Sequence, residues 1–180
     1  MKKVNTNGCI TGISVCVPTN KYININYPHQ TKDKLLKFIA TTGIKERRIV
    51  NKTEMCTSDL GFVAVKKLIK KLNWKNNDVD FLIFISQTAD YLTPATSAIL
   101  QDRLMLKKNI FTLDVNYGCS GFPYGAALCF SLIDNLKFNK GILVIGDVLS
   151  KVCSIKDPST WPLFGDACAA VAFEKKKKKN

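Results

Sequence analysis

Residues Asp114–Ile133 read DVNYGCSGFPYGAALCFSLI. A short apolar strand ends near Val115, a turn holds Cys119 between Gly118 and Gly121, and a long uncharged segment follows. The run from Val115 to Ile133 carries no charge and reaches membrane-spanning length. It also carries Asn116, Gly118, Ser120, Gly121, Pro123 and Gly125. A polar turn leading into a fully buried helix fits that composition better than a lipid span. Strand, tight turn, apolar helix is the unit of an α/β sheet.

The flanking segments repeat this grammar. CITGISVCVP (Cys9–Pro18) reads as a strand ended by its proline. TKDKLLKFIATTG (Thr31–Gly43) reads as a helix with Thr31 at its N-cap, Leu35, Leu36 and Ile39 as its apolar face and Gly43 as its stop. In TSDLGFVAVKKLIKKLNW (Thr57–Trp74), Leu60, Val63, Ala64, Leu68 and Leu72 recur at helical spacing behind a Thr57 or Ser58 cap. Its other face carries Lys66, Lys67, Lys70 and Lys71, a solvated face or a docking face for an acidic partner. VDFLIFIS (Val79–Ser86) and GILVIGDV (Gly141–Val148) are continuous apolar runs, as strands covered on both faces should be. ATSAILQDRLML (Ala95–Leu106) reads as a short helix, NIFTLDV (Asn109–Val115) and CAAVAFE (Cys168–Glu174) as strands. No internal repeat is visible.

The 180 residues suffice for one domain with a sizeable core, and 46 % hydrophobic content argues against disorder. The N-terminal apolar run is too short for a signal peptide, so a cytoplasmic setting is expected. Seven cysteines without a C-x-x-C pair point to free thiols, and with one histidine, His29, no metal site is expected. The net charge is +13, five units of which lie in the tail Lys175–Lys179. Lys, Asn and Ile make up 54 residues and arginine only three. That is a compositional bias rather than the Arg-rich signature of a nucleic-acid reader, so neither nucleic acid nor membrane is expected as a partner.

A cysteine is a strong nucleophile only as thiolate, and a helix N-terminus favours the anion. The glycines around Cys119 let the backbone turn sharply and approach a ligand. From these residues alone, Cys119 is either a nucleophile or a buried structural cysteine. Cys9, Cys16, Cys56, Cys129, Cys153 and Cys168 lack the glycine frame and read as buried structural residues.

TGIKERRIV, TSDLGFVAVKKLI, DFLIFISQTADYLTPATSAILQDRL, DVNYGCSGFPYGA, GILVIGDVLSK and FGDACAAVAFE, in this order, resemble the N-terminal half of β-ketoacyl-acyl-carrier-protein synthase III, a thiolase-like condensing enzyme of fatty acid biosynthesis. The resemblance covers roughly residues 8–174. It implies a thiolase-like half with a five-stranded mixed sheet and helices on both faces, over residues 1–174, followed by a basic tail at 175–180. It places Cys119 on the acyl-accepting cysteine. No permanently bound cofactor is implied; acyl-coenzyme A or acyl-acyl carrier protein would be substrate and acyl carrier protein a partner. Arg47, Arg48 and Lys151 fall where the family has cations near the coenzyme A entrance, with Arg47 alternatively an internal ion pair. Thr93 falls where relatives shape the acyl pocket, and the FGD at Phe164–Asp166 at a turn beside the active site.

Two departures stand out. Lys37 lies where the family carries an aromatic that stacks on the coenzyme A base, which opens the way to an acyl-carrier-protein donor. The family's condensation also uses a His and an Asn from its second half, and His29 lies outside every matched motif. The resemblance therefore implies an absent C-terminal catalytic half, with premature termination in the lysine tract as its expected origin. The chain would then work as a homodimer or with a separate second half. The alternative is a non-catalytic remnant or dimerising scaffold of the same fold.

Overall fold

A computed structural model describes residues 6–51 and 54–176; the lysine tail beyond Lys176 lies outside them. Five strands form one sheet: β1 (Gly8–Cys16), β4 (Phe81–Ile85), β5 (Phe111–Val115), β6 (Lys140–Asp147) and β7 (Ala167–Lys175). Their order is β1-β7-β6-β4-β5. β4 runs parallel to both β5 and β6, whereas β7 is antiparallel to β6 and to β1. The sheet is thus mixed, as the resemblance implies. A small antiparallel pair, β2 (Lys21–Ile23) and β3 (Glu46–Arg48), forms a second sheet that the sequence reading missed. Three residues each are too few to show a hydrophobic period.

Among the described residues, four α-helices complete the fold: α1 (Lys32–Thr42), α2 (Thr57–Leu72), α3 (Thr96–Arg103) and α4 (Gly121–Asn135). α2 and α3 cover one face of the sheet through Leu60, Ala64, Val65, Leu68 and Leu100, which pack on Leu82, Phe84, Ile142 and Val144. α4 covers the other through Cys129, Leu132 and Ile133, on Phe81, Ile83, Ile85 and Leu143. β4 is buried along its whole length because each side chain meets one helical layer or the other.

Three details differ from the periodic reading. The N-cap of α2 is Cys56, whose N–H donates to Asp59 Oδ2 at 2.8 Å. Thr57 and Ser58 are buried and bond neighbouring loops instead. Val63 and Leu36 are exposed, and Val65 and Ile69 fill the α2 core positions. α4 is not fully buried: Phe122 and Tyr124, in its first turn, are 41 % and 59 % exposed. None of the described helices is long and apolar enough to cross a membrane.

Candidate active site

The parallel strands β4, β5 and β6 end on the same side of the sheet, and three loops leave them there: 86–90, 116–120 and 148–151. Such carboxyl edges are where α/β sheets place ligands. Cys119 sits on the middle loop, one residue before the α4 N-cap Ser120, and is exposed. Of the four amides that begin α4, Gly121 N–H donates to Gly118 O at 2.8 Å and Pro123 has none. Ser120 and Phe122 carry the remaining two.

Helix α4 can start this close to the sheet because glycines face it. A Cβ on Gly121 would lie 2.9 Å from Ile85, and one on Gly125 would lie 2.6 Å from the same side chain. Gly118 is packed likewise on the Gln87 amide, where a Cβ would meet Oε1 at 3.0 Å. The loop after β4 therefore supports the cysteine turn directly.

Asp147, at the end of β6, holds that supporting loop. Its Oδ1 accepts from Ser86 Oγ (2.9 Å), Gln87 N–H (2.7 Å), Thr88 N–H (3.1 Å) and Thr88 Oγ1 (3.0 Å). Thr88 in turn bonds Thr57 Oγ1 at 2.8 Å and accepts from Val148 N–H at 2.9 Å. Asp114 in β5 plays the same part for α3, accepting from Thr96 N–H and Ser97 N–H at 2.6 and 2.7 Å. Negative charge at a helix N-terminus is favourable.

The sequence-derived cations divide. Lys151 is exposed and lines an open groove with Cys56, Thr57, Gln87, Thr88 and Asp90. Gln87 touches both this groove and the cysteine turn. Arg48 is half-buried and donates to Thr19 O at 2.8 Å. Arg47 is only 5 % exposed, so its guanidinium is not presented to a ligand. It donates to Asn24 Oδ1 at 2.8 Å and to Phe164 O, and it lies over the rings of Tyr22 and Trp161. Burial holds it below the usual arginine range. These contacts are to neutral groups rather than the internal ion pair weighed above.

The FGD turn links these parts. Asp166 is buried; its Oδ2 accepts from Val50 N–H and Ser150 Oγ, and its Oδ1 from Ser150 N–H at 2.9 Å. It thereby ties the Lys151 loop to the segment after β3. Asp147 and Asp166 were missed as positioning residues. The available signal was an acid following glycine at a strand end, in VIGDV and FGD. Thr93 lies exposed on the loop before α3, and His29 is exposed and stacks edge-on against Tyr27 at 5.6 Å.

The other cysteines are free but not uniformly buried. Only Cys129 and Cys168 are, against the expectation for all six, while Cys9, Cys16, Cys56 and Cys153 are half-buried. Burial pushes the Cys168 thiol up to about 12 and raises that of Cys129 as well. Both stay protonated and unreactive at neutral pH.

A cysteine-bearing turn at the carboxyl edge of this mixed sheet is the layout of a thiolase-like α/β unit. Residues 113–180 match the family model of 3-oxoacyl-[acyl-carrier-protein] synthase III. The chain is 36 % identical to β-ketoacyl-[acyl-carrier-protein] synthase III 1 of Bacteroides thetaiotaomicron, over 97 % of this chain and 51 % of that protein. It is 38 % identical to the synthase III of Fusobacterium nucleatum, over 89 % of this chain and 48 % of that protein. The crystal structure of a 3-oxoacyl-(acyl-carrier protein) synthase from Burkholderia xenovorans superposes with a TM-score of 0.92 at 33 % identity, covering 96 % of this chain and 49 % of that one. The chain belongs to this synthase III family and corresponds to the N-terminal half of its members. It spans about half the length of the curated relatives it matches.

Proposed function

We propose that this chain is the acyl-accepting half of a synthase III-type condensing enzyme. The Cys119 thiolate attacks the carbonyl carbon of an acyl thioester supplied by coenzyme A or acyl carrier protein. The C–S bond to the carrier breaks, the carrier leaves as a thiolate, and the acyl group remains on Cys119 as a new thioester. Lys151 supplies a cation at the groove for the phosphates of the carrier arm, with half-buried Arg48 as the second candidate, whereas Arg47 is buried on Asn24 and Phe164 and is not presented to them. Decarboxylative condensation with malonyl-acyl carrier protein then requires the His and Asn that the resemblance assigns to a second half. The observation that carries this reading is the exposed Cys119 on a turn whose Gly118 packs on Gln87, a residue that also lines the Lys151 groove.

The test is intact-mass measurement after incubation with acetyl- and octanoyl-coenzyme A. One acyl adduct is expected on the native chain and none on Cys119→Ser. An adduct that survives in Cys119→Ser, or none at all, removes the reading. The exposed aromatics Phe122 and Tyr124 at the start of α4 and the open edge of β5 favour one second reading, a scaffold that assembles through these surfaces. Absence of the adduct together with stable self-association would support it.

A further inference from the structure

On the sheet face opposite α4, the groove between α2 and α3 has Ile69 and Leu104 at its base, Phe62 and the exposed Met105 on its sides, and a rim of Lys66, Lys70 and Arg103. No carboxylate lines it. Arg103 is spoken for, with its guanidinium on Ser58 Oγ and Asp59 Oδ1 at 2.9 and 2.8 Å and its plane over Phe62 at 4.9 Å. Lys66 lies over the same ring at 5.2 Å. Among the described residues neither Lys66 nor Lys70 forms an ion pair. The two stand one helical turn apart on α2.

Met105 adds an independent observation. It follows the α3 C-cap Leu104 with φ of 51°, and its N–H bonds Asp102 O while Leu106 N–H bonds Gln101 O. This left-handed position past a helix end usually takes glycine. Here a methionine stands instead, with its side chain 77 % exposed at the groove. Methionine is flexible and polarizable, and adapts to an incoming apolar group.

We propose that the α2–α3 groove docks an acidic amphipathic helix of a partner protein. One large apolar side chain of that helix seats against Phe62, Leu104 and Met105. Its carboxylates, four residues apart, meet Lys66 and Lys70, because equal spacing on two helices allows both pairs to form together. The apolar floor argues against a simple polyanion such as nucleic acid, which needs charge alone. The inference does not rest on Cys119, since the groove lies across the sheet from α4.

The test uses the whole chain and a labelled helical peptide of about 18 residues. The peptide carries Glu pairs four residues apart and one central Phe, and binding is read by fluorescence anisotropy. Saturable binding is expected, weakened about tenfold by Lys66→Glu with Lys70→Glu. A similar loss is expected when the peptide's Phe becomes Ala. Met105→Gly should raise Tm, by relieving the left-handed methionine, and yet weaken binding several-fold. A merely structural Met105 would not move the two readouts in opposite senses. The proposal is overturned by absence of binding, by equal binding of the Ala peptide, by indifference to the charge reversals, or by a DNA duplex displacing the peptide at equal charge.

Discussion

At the scale of residues, the site depends on carboxylates that never meet a substrate. Asp147 satisfies four donors of the 86–88 segment with a single oxygen, and that segment packs on the glycine preceding Cys119. Asp147→Ala leaves Gln87 N–H without its acceptor, while the Ser86 and Thr88 donors keep only each other's oxygens and Thr57 Oγ1, and should destabilise the fold by about 1–3 kcal/mol. Asp147→Asn keeps the accepting oxygen and should cost less than half as much. Urea unfolding of the two variants checks the difference; equal losses would mean that charge rather than acceptance matters. The cysteine itself was legible, because the glycines around it imply a sharp turn. Its support was not, because nothing in VIGDV says which loop an aspartate will gather. Arg47 shows the converse. Its type suits phosphate, yet Tyr22, Trp161 and Asn24 converge on it from segments whose meeting no local spacing announces.

At the scale of elements, the strands were legible wherever burial is two-sided. VDFLIFIS and GILVIGDV pack both faces, and both became central strands. Helix faces were read less well, since α2 is covered over a wider arc than its strict period suggests and takes in Val65 and Ile69. What aligns the strand starts is Asp80. Its Oδ2 accepts from Asn139 and Lys140 N–H at 2.8 and 3.1 Å, and its Oδ1 from Lys107 at 2.8 Å. Burial pushes this carboxyl up, but Lys107 and the two amides outweigh it and hold it below the usual carboxylate range. The stabilisation is therefore present above the unfolded value near about 4 and is lost as pH falls through the lower folded value. Asp80→Asn should lower stability by about 1–2 kcal/mol at pH 7. The gap from the native chain should close on acidification below about pH 4. Thermal melts of both proteins across that range test the sign; a gap that widens in acid would refute it.

At the scale of the whole molecule, one side of the sheet is left partly bare. Gly12 and Cys16 of β1 face α2, so Ile13 and Val15 project to the side that α4 only partly covers, and each is 52 % exposed. At the other edge, Tyr124 of α4 is exposed beside Tyr117 and Val115, and Phe122 is exposed one residue into the helix. β5 pairs only with β4, so its outer edge keeps free backbone donors and acceptors beside Phe111 and Leu113, 36 % and 37 % exposed. Unpaired edges and broad apolar patches both drive association. This chain should accordingly self-associate at micromolar concentration, read by light scattering. Phe111→Lys with Leu113→Lys puts charge on the open edge without touching the buried face of β4, and should shift the population toward monomer while the far-ultraviolet circular dichroism stays unchanged. If the association persists in that variant but falls when Tyr124 is made Glu, the face of α4 rather than the strand edge is the contact. A native chain that remains monomeric throughout would show that the bare side is tolerated in water, and the scaffold reading would lose its support.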